Sequence, residues 1–317
     1  MKNKLVFGEV TVDEGLKSQC MFNIPGTELT IPVTIINGNN DGMLVTIISG
    51  IHGGEYVGIE TANRLADEIL PNMVNGGLIV IHTANVPAFL SRVSYVNPND
   101  QKNLNRLFPG KKDGTESEKL AYFIMNQFIK CSDFLIDLHG GDLHESLVPF
   151  IAYSNLSEES VTNKLKEAVQ YMGIEYILGV DVPNTTFSEA AHIGIPGFLA
   201  ELGKCGRWSL KEVISYLSGL KNVLRYLGVL NDLHEVTINQ TTSIKSMKSE
   251  IASCEGYWYS FVEAGDFTYS GQLIGEIRNS FGMTLCKYIT ENEGVMLYIA
   301  TSLGIKKNDP IYAIGLL

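Results

Sequence analysis

The sequence predicts an α/β protein with a mixed, mostly parallel sheet flanked by helices and followed by a small all-β barrel or sandwich module. Three observations carry this. Apolar runs at 43–48, 77–82, 134–138 and 196–203 alternate with segments whose apolar residues recur at three and four positions, as in sheets covered by helices on both faces. From about residue 232 the helical periodicity stops, and short β runs separated by glycine turns take over. Finally, 317 residues exceed one small core and suit one large α/β domain plus an appendage. The expected division is 1–231 and 232–317.

In chain order, residues 1 to about 40 read as short β-branched strands closed by the Asn- and Gly-rich turn at 37–42. The run 43–48 is a buried strand that stops at Ser49-Gly50-Ile51-His52-Gly53-Gly54-Glu55. Ile59, Ala62, Leu65, Ala66 and Ile69 then mark a helix that Pro71 ends. Residues 77–82 form the next buried strand, with His82 as a hydrogen-bonded core residue, and 85–89 leave it as a loop. The polar stretch 92–110 lacks periodicity and is long for an idle connection, which favours a functional role. Helices are expected at 116–130, 158–172 and 209–227. The strand at 134–138 delivers His139-Gly140-Gly141-Asp142, repeating the strand-then-His-Gly arrangement, and the run at 196–203 delivers Glu201.

The composition narrows the partners. A formal charge of −11, from 35 acidic and 24 basic residues without a basic stripe, lacks the electrostatic footprint of a nucleic-acid or anionic-membrane binder. No apolar run approaches the length of a spanning helix, and the N-terminus has no apolar signal segment. Five scattered cysteines without a C-x-x-C spacing fit buried thiols in a reducing compartment. These features together predict a cytoplasmic protein. An anionic substrate must then be held by individually placed arginines.

Strand ends and adjoining loops supply one consistent chemical set. His52, Glu55 and His139 are candidate metal ligands, Glu201 a candidate base, and Arg92, Asn105 and Arg106 candidate substrate grips. Two histidines, one carboxylate and an open position suit zinc, which acidifies water and polarises a carbonyl. A carboxylate in reach can take a proton from that water and return it to a leaving amine, and arginine can hold a carboxylate through two hydrogen bonds.

The ordered motifs His52-Gly53-Gly54-Glu55, Asn103-Leu104-Asn105-Arg106-Leu107-Phe108-Pro109-Gly110, Asp137-Leu138-His139 and Glu201-Leu202-Gly203 resemble the succinylglutamate desuccinylase/aspartoacylase family, related to zinc carboxypeptidases. The resemblance covers both parts of the chain. It implies one zinc ion per chain on His52, Glu55 and His139, with Glu201 as general base and acid. It also implies that Asn105 and Arg106 grip a substrate carboxylate and that Arg92 stabilises the oxyanion. A segment written D-L-N-R in the family begins here with Asn103, so the residue that orients Arg106 differs.

His144, five residues after His139, is a further candidate for substrate contact; His192 reads as a surface-loop residue and Cys205 as a buried thiol. The C-terminal module resembles a lipoyl- or biotin-carrier domain in texture, but its 278–282 turn carries no lysine, so it reads as structural, narrowing the cleft or forming a homo-oligomer contact. The expected activity is removal of an acyl group from a small N-acyl amino acid or related amine. A zinc carboxypeptidase acting on peptide C-termini and a non-catalytic binding protein on a hydrolase fold are the alternatives. The β module as a cap disfavours peptides, and the retained Glu201 disfavours a binding protein.

Overall fold

The computed structural model describes residues 4–155, 159–232, 238 and 240–317; His234 lies outside them. Nine described strands form the central sheet, in the spatial order Thr242–Ile244, Tyr176–Gly179, Phe150–Tyr153, Gly197–Glu201, Phe134–His139, Asn40–Ser49, Asn75–Ile81, Thr30–Asn37 and Lys17–Asn23. Five of the eight neighbouring pairs are parallel and three antiparallel, so the sheet is mixed and mostly parallel, as expected. Its central strands read as continuous apolar runs because both faces are covered. Ile47 packs with Leu65, Phe198 and Tyr216 on one side, while its neighbour Ile48 packs with Leu120, Ile124 and Phe128 on the other.

Helix Tyr56–Glu68 buries Ile59, Ala62, Leu65 and Ala66, the stripe read from the sequence. Helix Leu210–Tyr226 covers the same face, and the Ser209 hydroxyl accepts a hydrogen bond from the Glu212 amide at its start. The expected loop at 85–89 is instead the beginning of a short helix, Val86–Ser91. Asn85 caps it by accepting from the Ala88 amide at 3.3 Å. Pro87 does not break this helix because a proline in the first turn forfeits no hydrogen bond.

The long polar stretch is not loose. Asp100 accepts from the Ser117 amide at 2.9 Å and its hydroxyl at 2.8 Å. The side-chain amides of Asn97 and Asn99 both donate to Glu116 Oε1. The start of helix Glu116–Gln127 therefore anchors the segment that carries Asn103, Asn105 and Arg106. Glu118 closes that helix start by accepting from the Thr115 amide at 2.8 Å and from Lys111 Nζ at 3.0 Å. Those bonds hold its carboxyl down to about 2. A depressed acid stabilises the fold above its ordinary titration range and ceases to do so as the pH falls toward 2. Glu118→Gln is expected to cost about 1 kcal/mol at neutral pH and to flatten the acid side of a denaturant-midpoint profile; an unchanged midpoint at pH 7 would contradict this.

The C-terminal strands form two further sheets around Trp258, Ile274, Ile277, Met296, Ile311 and Ile314. The chain crosses the 231/232 line in both directions. Strand Thr242–Ile244 joins the central sheet beside Tyr176–Gly179, and strand Glu145–Leu147 leaves the α/β region to pair with Gly294–Ala300. The cysteines, expected in the interior, are half-buried at Cys20, Cys205, Cys254 and Cys286 and exposed at Cys131. No described helix is long and apolar enough to cross a membrane.

Candidate metal centre and active site

Three adjacent parallel strands aim their carboxyl ends at one place. Strand Asn40–Ser49 leads into the turn with His52 and Glu55, strand Phe134–His139 ends on His139, and strand Gly197–Glu201 ends on Glu201. Glu201 and His139 are direct partners across the ladder. Open α/β sheets place ligands at such strand ends. The first turn needs glycine for space: a Cβ on Gly53 would stand 2.2 Å from the Phe89 amide nitrogen, and one on Gly54 2.0 Å from Asp142 Oδ1.

His52, Glu55 and His139 are all buried, and each brings a ligand atom within 4.8 Å of the others. His52 Nδ1 lies 2.7 Å from Glu55 Oε1, and His139 Nδ1 lies 2.8 Å from Glu55 Oε2. The far nitrogens also meet oxygens: His52 Nε2 is 3.0 Å from Asn103 Oδ1, and His139 Nε2 is 3.1 Å from Asp137 Oδ2. Asn103 decides the His52 tautomer. Its oxygen already accepts from the Asn105 amide at 2.9 Å, so His52 Nε2 must be the donor. The Nδ1 of a neutral His52 then turns a lone pair toward a carboxylate, an arrangement that requires a cation, either a proton or a metal, between them.

The electrostatics agree with that requirement. Burial resists charge on Glu55, but the two histidines overcome it and hold the carboxyl at about 2. Burial would lower His139, yet Asp137 and Glu55 raise it well above the ordinary imidazole value. Burial first, and then the charge of Glu55, push the Glu201 carboxyl well above the usual range, with Glu145 and Asp137 adding to the rise. Glu145 is pushed up to about 7, mainly by burial. Glu55 Oε2, His139 Nε2, Glu201 Oε2 and Asp137 Oδ1 are buried without an aligned hydrogen bond. An acidic pocket with two imidazoles, orphaned donor atoms and outer oxygens fixing the rings fits a divalent metal.

Asn105 is buried and accepts from the Thr186 amide at 3.2 Å through its side-chain oxygen, which leaves its N–H₂ group to offer a ligand. Thr186 in turn donates to Asp137, tying this loop to the His139 strand. Arg106 Nη1 donates to the Asn105 carbonyl at 2.6 Å. Desolvation lowers the Arg106 pKa, opposed by the charge of Glu201. Three of the predicted residues, Arg92, Arg106 and His144, are exposed. Arg92 is exposed in a left-handed conformation at the end of helix Val86–Ser91. His144 is exposed, and its carbonyl accepts from the Thr301 amide of the C-terminal module at 2.8 Å.

Other residues join the site without having been read from the sequence. Tyr95, at φ 56°, sets its ring edge-on to His52 at 5.9 Å, donates to Glu145 at 2.6 Å and pins Asp142 through its amide at 2.9 Å. Glu145 faces this pocket because its strand is held by the C-terminal module. No local motif marks either residue; the only signal for Asp142 was its place three residues after His139. His82, expected in the core, sits just past its strand, half-exposed between Thr34 and Asn63 at 2.7 Å each. His192 ends helix Thr186–His192 near Asp181.

Comparison with known proteins identifies the family and the fold. The catalytic-domain model of the succinylglutamate desuccinylase/aspartoacylase family matches residues 41–227, more than half of the chain. The N-alpha-acetyl-L-2,4-diaminobutyric acid deacetylase of Halomonas elongata is 25% identical over 296 residues, covering 90% of this chain and 85% of that protein. The succinylglutamate desuccinylase of Pseudomonas aeruginosa is 25% identical over 217 residues, 65% of this chain and 63% of that one. Among solved structures, the product-bound ectoine utilization protein of Ruegeria pomeroyi superposes with a TM-score of 0.83 at 23% identity, over 94% of this chain and 93% of its own, a likeness of fold. The chain belongs to the succinylglutamate desuccinylase/aspartoacylase family.

Proposed function

We propose that this protein is a zinc-dependent deacylase that hydrolyses the amide bond of a small N-acyl amino acid or related N-acyl amine. The observation that carries the reading is the convergence of His52, Glu55 and His139 with Glu201 placed beside His139 in the ladder. One zinc ion per chain, held by the first three residues, would supply Lewis-acid polarisation of the amide carbonyl and acidify the attacking water.

The chain's own residues do the rest. Glu201 takes a proton from the water and hands it to the departing amine nitrogen, so an acyl carboxylate and a free amine result. The raised Glu201 carboxyl suits a group that must hold a proton between two steps. Asn105 and Arg106 donate hydrogen bonds to a substrate carboxylate. Tyr95, Asp142 and Glu145 line the acidic side of the pocket, which suits a substrate whose amine half carries a positive charge. The Halomonas relative's named substrate is such an acetylated diamino acid. Arg92 is assigned to stabilise the oxyanion and His144 to contact the substrate. The C-terminal module narrows the approach, and a second copy of the chain is a natural partner for it. We place the protein in the cytoplasm.

The test is amine release from a panel of N-acyl amino acids by zinc-loaded and chelated protein. Zinc-dependent release from one or two acyl-diamino acids is expected; turnover of blocked dipeptides alone would overturn the reading in favour of a carboxypeptidase. Asn103 gives a second check. Asn103→Leu leaves His52 Nε2 without its acceptor and is expected to weaken zinc binding roughly 10–100-fold in a chelator competition, whereas Asn103→Asp retains it. Equal affinity in Asn103→Leu would contradict the tautomer assignment.

A further inference from the structure

In the C-terminal module, the fold brings together two thiols that the sequence keeps 32 residues apart. Cys286 lies on strand Thr284–Ile289, and Cys254 lies in the turn before strand Gly256–Ser260. Their Sγ atoms are 3.1 Å apart. Both cysteines are half-buried, so small reagents can reach them. The neighbours favour one thiol as the nucleophile. Ser253 Oγ donates to Cys286 Sγ at 3.4 Å, and Tyr288 Oη stands 3.6 Å from the same sulfur. Tyr288 is itself held by the Ser253 amide at 2.9 Å and packs edge-on against Trp258 at 5.5 Å.

We propose that Cys254 and Cys286 form a reversible dithiol–disulfide site that exchanges with low-molecular-weight disulfides. The Cys286 thiolate attacks one sulfur of the disulfide RSSR, forming a mixed disulfide and releasing RS⁻, which takes up a proton. The Cys254 thiolate then attacks Cys286 Sγ, closing the protein disulfide and releasing the second RSH. The sum is two protein thiols plus RSSR giving one protein disulfide plus two RSH, so the electrons lost by the pair reduce the small disulfide. Burial opposes charge on Cys286, but hydrogen bonding with Ser253, Cys254 and Tyr288 outweighs it and holds the thiol below its ordinary value. Burial and the Cys286 neighbour raise Cys254. That asymmetry assigns attack to Cys286 and resolution to Cys254.

The experiment incubates the full chain with oxidised glutathione, alkylates it under denaturing conditions, and maps tryptic peptides by mass. Arg278 separates the two cysteines, so trypsin parts them unless they are bridged. Two of the five thiols are expected to disappear, with one linked 254–286 peptide pair that dithiothreitol releases. Cys254→Ser is expected to stop at a stable glutathione adduct on Cys286. Five alkylated thiols after incubation, an adduct confined to the exposed Cys131, or bridging of other cysteines would each overturn the proposal.

Discussion

Glu201→Gln is expected to lower kcat for amide hydrolysis by about 10³-fold while the protein still takes up zinc. Glutamine keeps the size of the side chain and its place beside His139 but cannot accept a proton. Glu201 is outside the candidate ligand group of His52, Glu55 and His139, so the proposed stoichiometry of one zinc per chain should be unchanged. The carboxyl sits among Glu55, Glu145 and Asp137, which raise its affinity for a proton. A neutral amide there replaces a carboxyl whose ionised form burial and the neighbouring carboxylates disfavour, so the variant should fold at least as well as the parent. Loss of turnover with retained zinc and an unchanged denaturant midpoint is therefore the signature. Unaltered kcat would remove Glu201 from the chemistry.

His139→Ala should affect both metal binding and stability. The ring is 1% exposed, with Nδ1 2.8 Å from Glu55 and Nε2 3.1 Å from Asp137. Without it, two buried carboxylates lose the cation between them, and breaking a buried pair from one side costs about 3–5 kcal/mol. Zinc binding should fall further than the roughly 10–100-fold expected for loss of an outer partner. Denaturant unfolding of the metal-free proteins isolates the first effect, and chelator competition measures the second. A variant that binds zinc like the parent would show that His139 is not a ligand.

The candidate metal ligands and Glu201 stand out in the sequence because each sits where a buried strand meets a turn. The strand runs are unmistakable when both faces are covered, and few residue types can bind a metal at their ends. The candidate substrate grips Asn105 and Arg106 stand out only as a motif, since their positions depend on Asp100, Asn97 and Asn99 being tied to the start of helix Glu116–Gln127. Tyr95 and Glu145 were illegible for a related reason. Tyr95 owes its direction to a left-handed backbone, and Glu145 owes its direction to a strand paired with residues 298–300. Periodicity sees neither cause. The segment 85–89, read as a loop, opens helix Val86–Ser91, whose six residues are too few to show a helical period and whose Pro87 occupies the first turn. Asn103 shows the opposite case: a departure from the family motif retains an oxygen that orients His52 rather than Arg106.

The most direct test of the account is a zinc titration of metal-stripped protein, following bound metal and amine release in parallel on the substrate selected by the panel. Both signals should rise together and saturate at one zinc per chain, with neither appearing in His139→Ala. Full amine release from the stripped protein, or a bound zinc that adds no activity, would contradict the assignment of His52, Glu55 and His139 as the working metal centre.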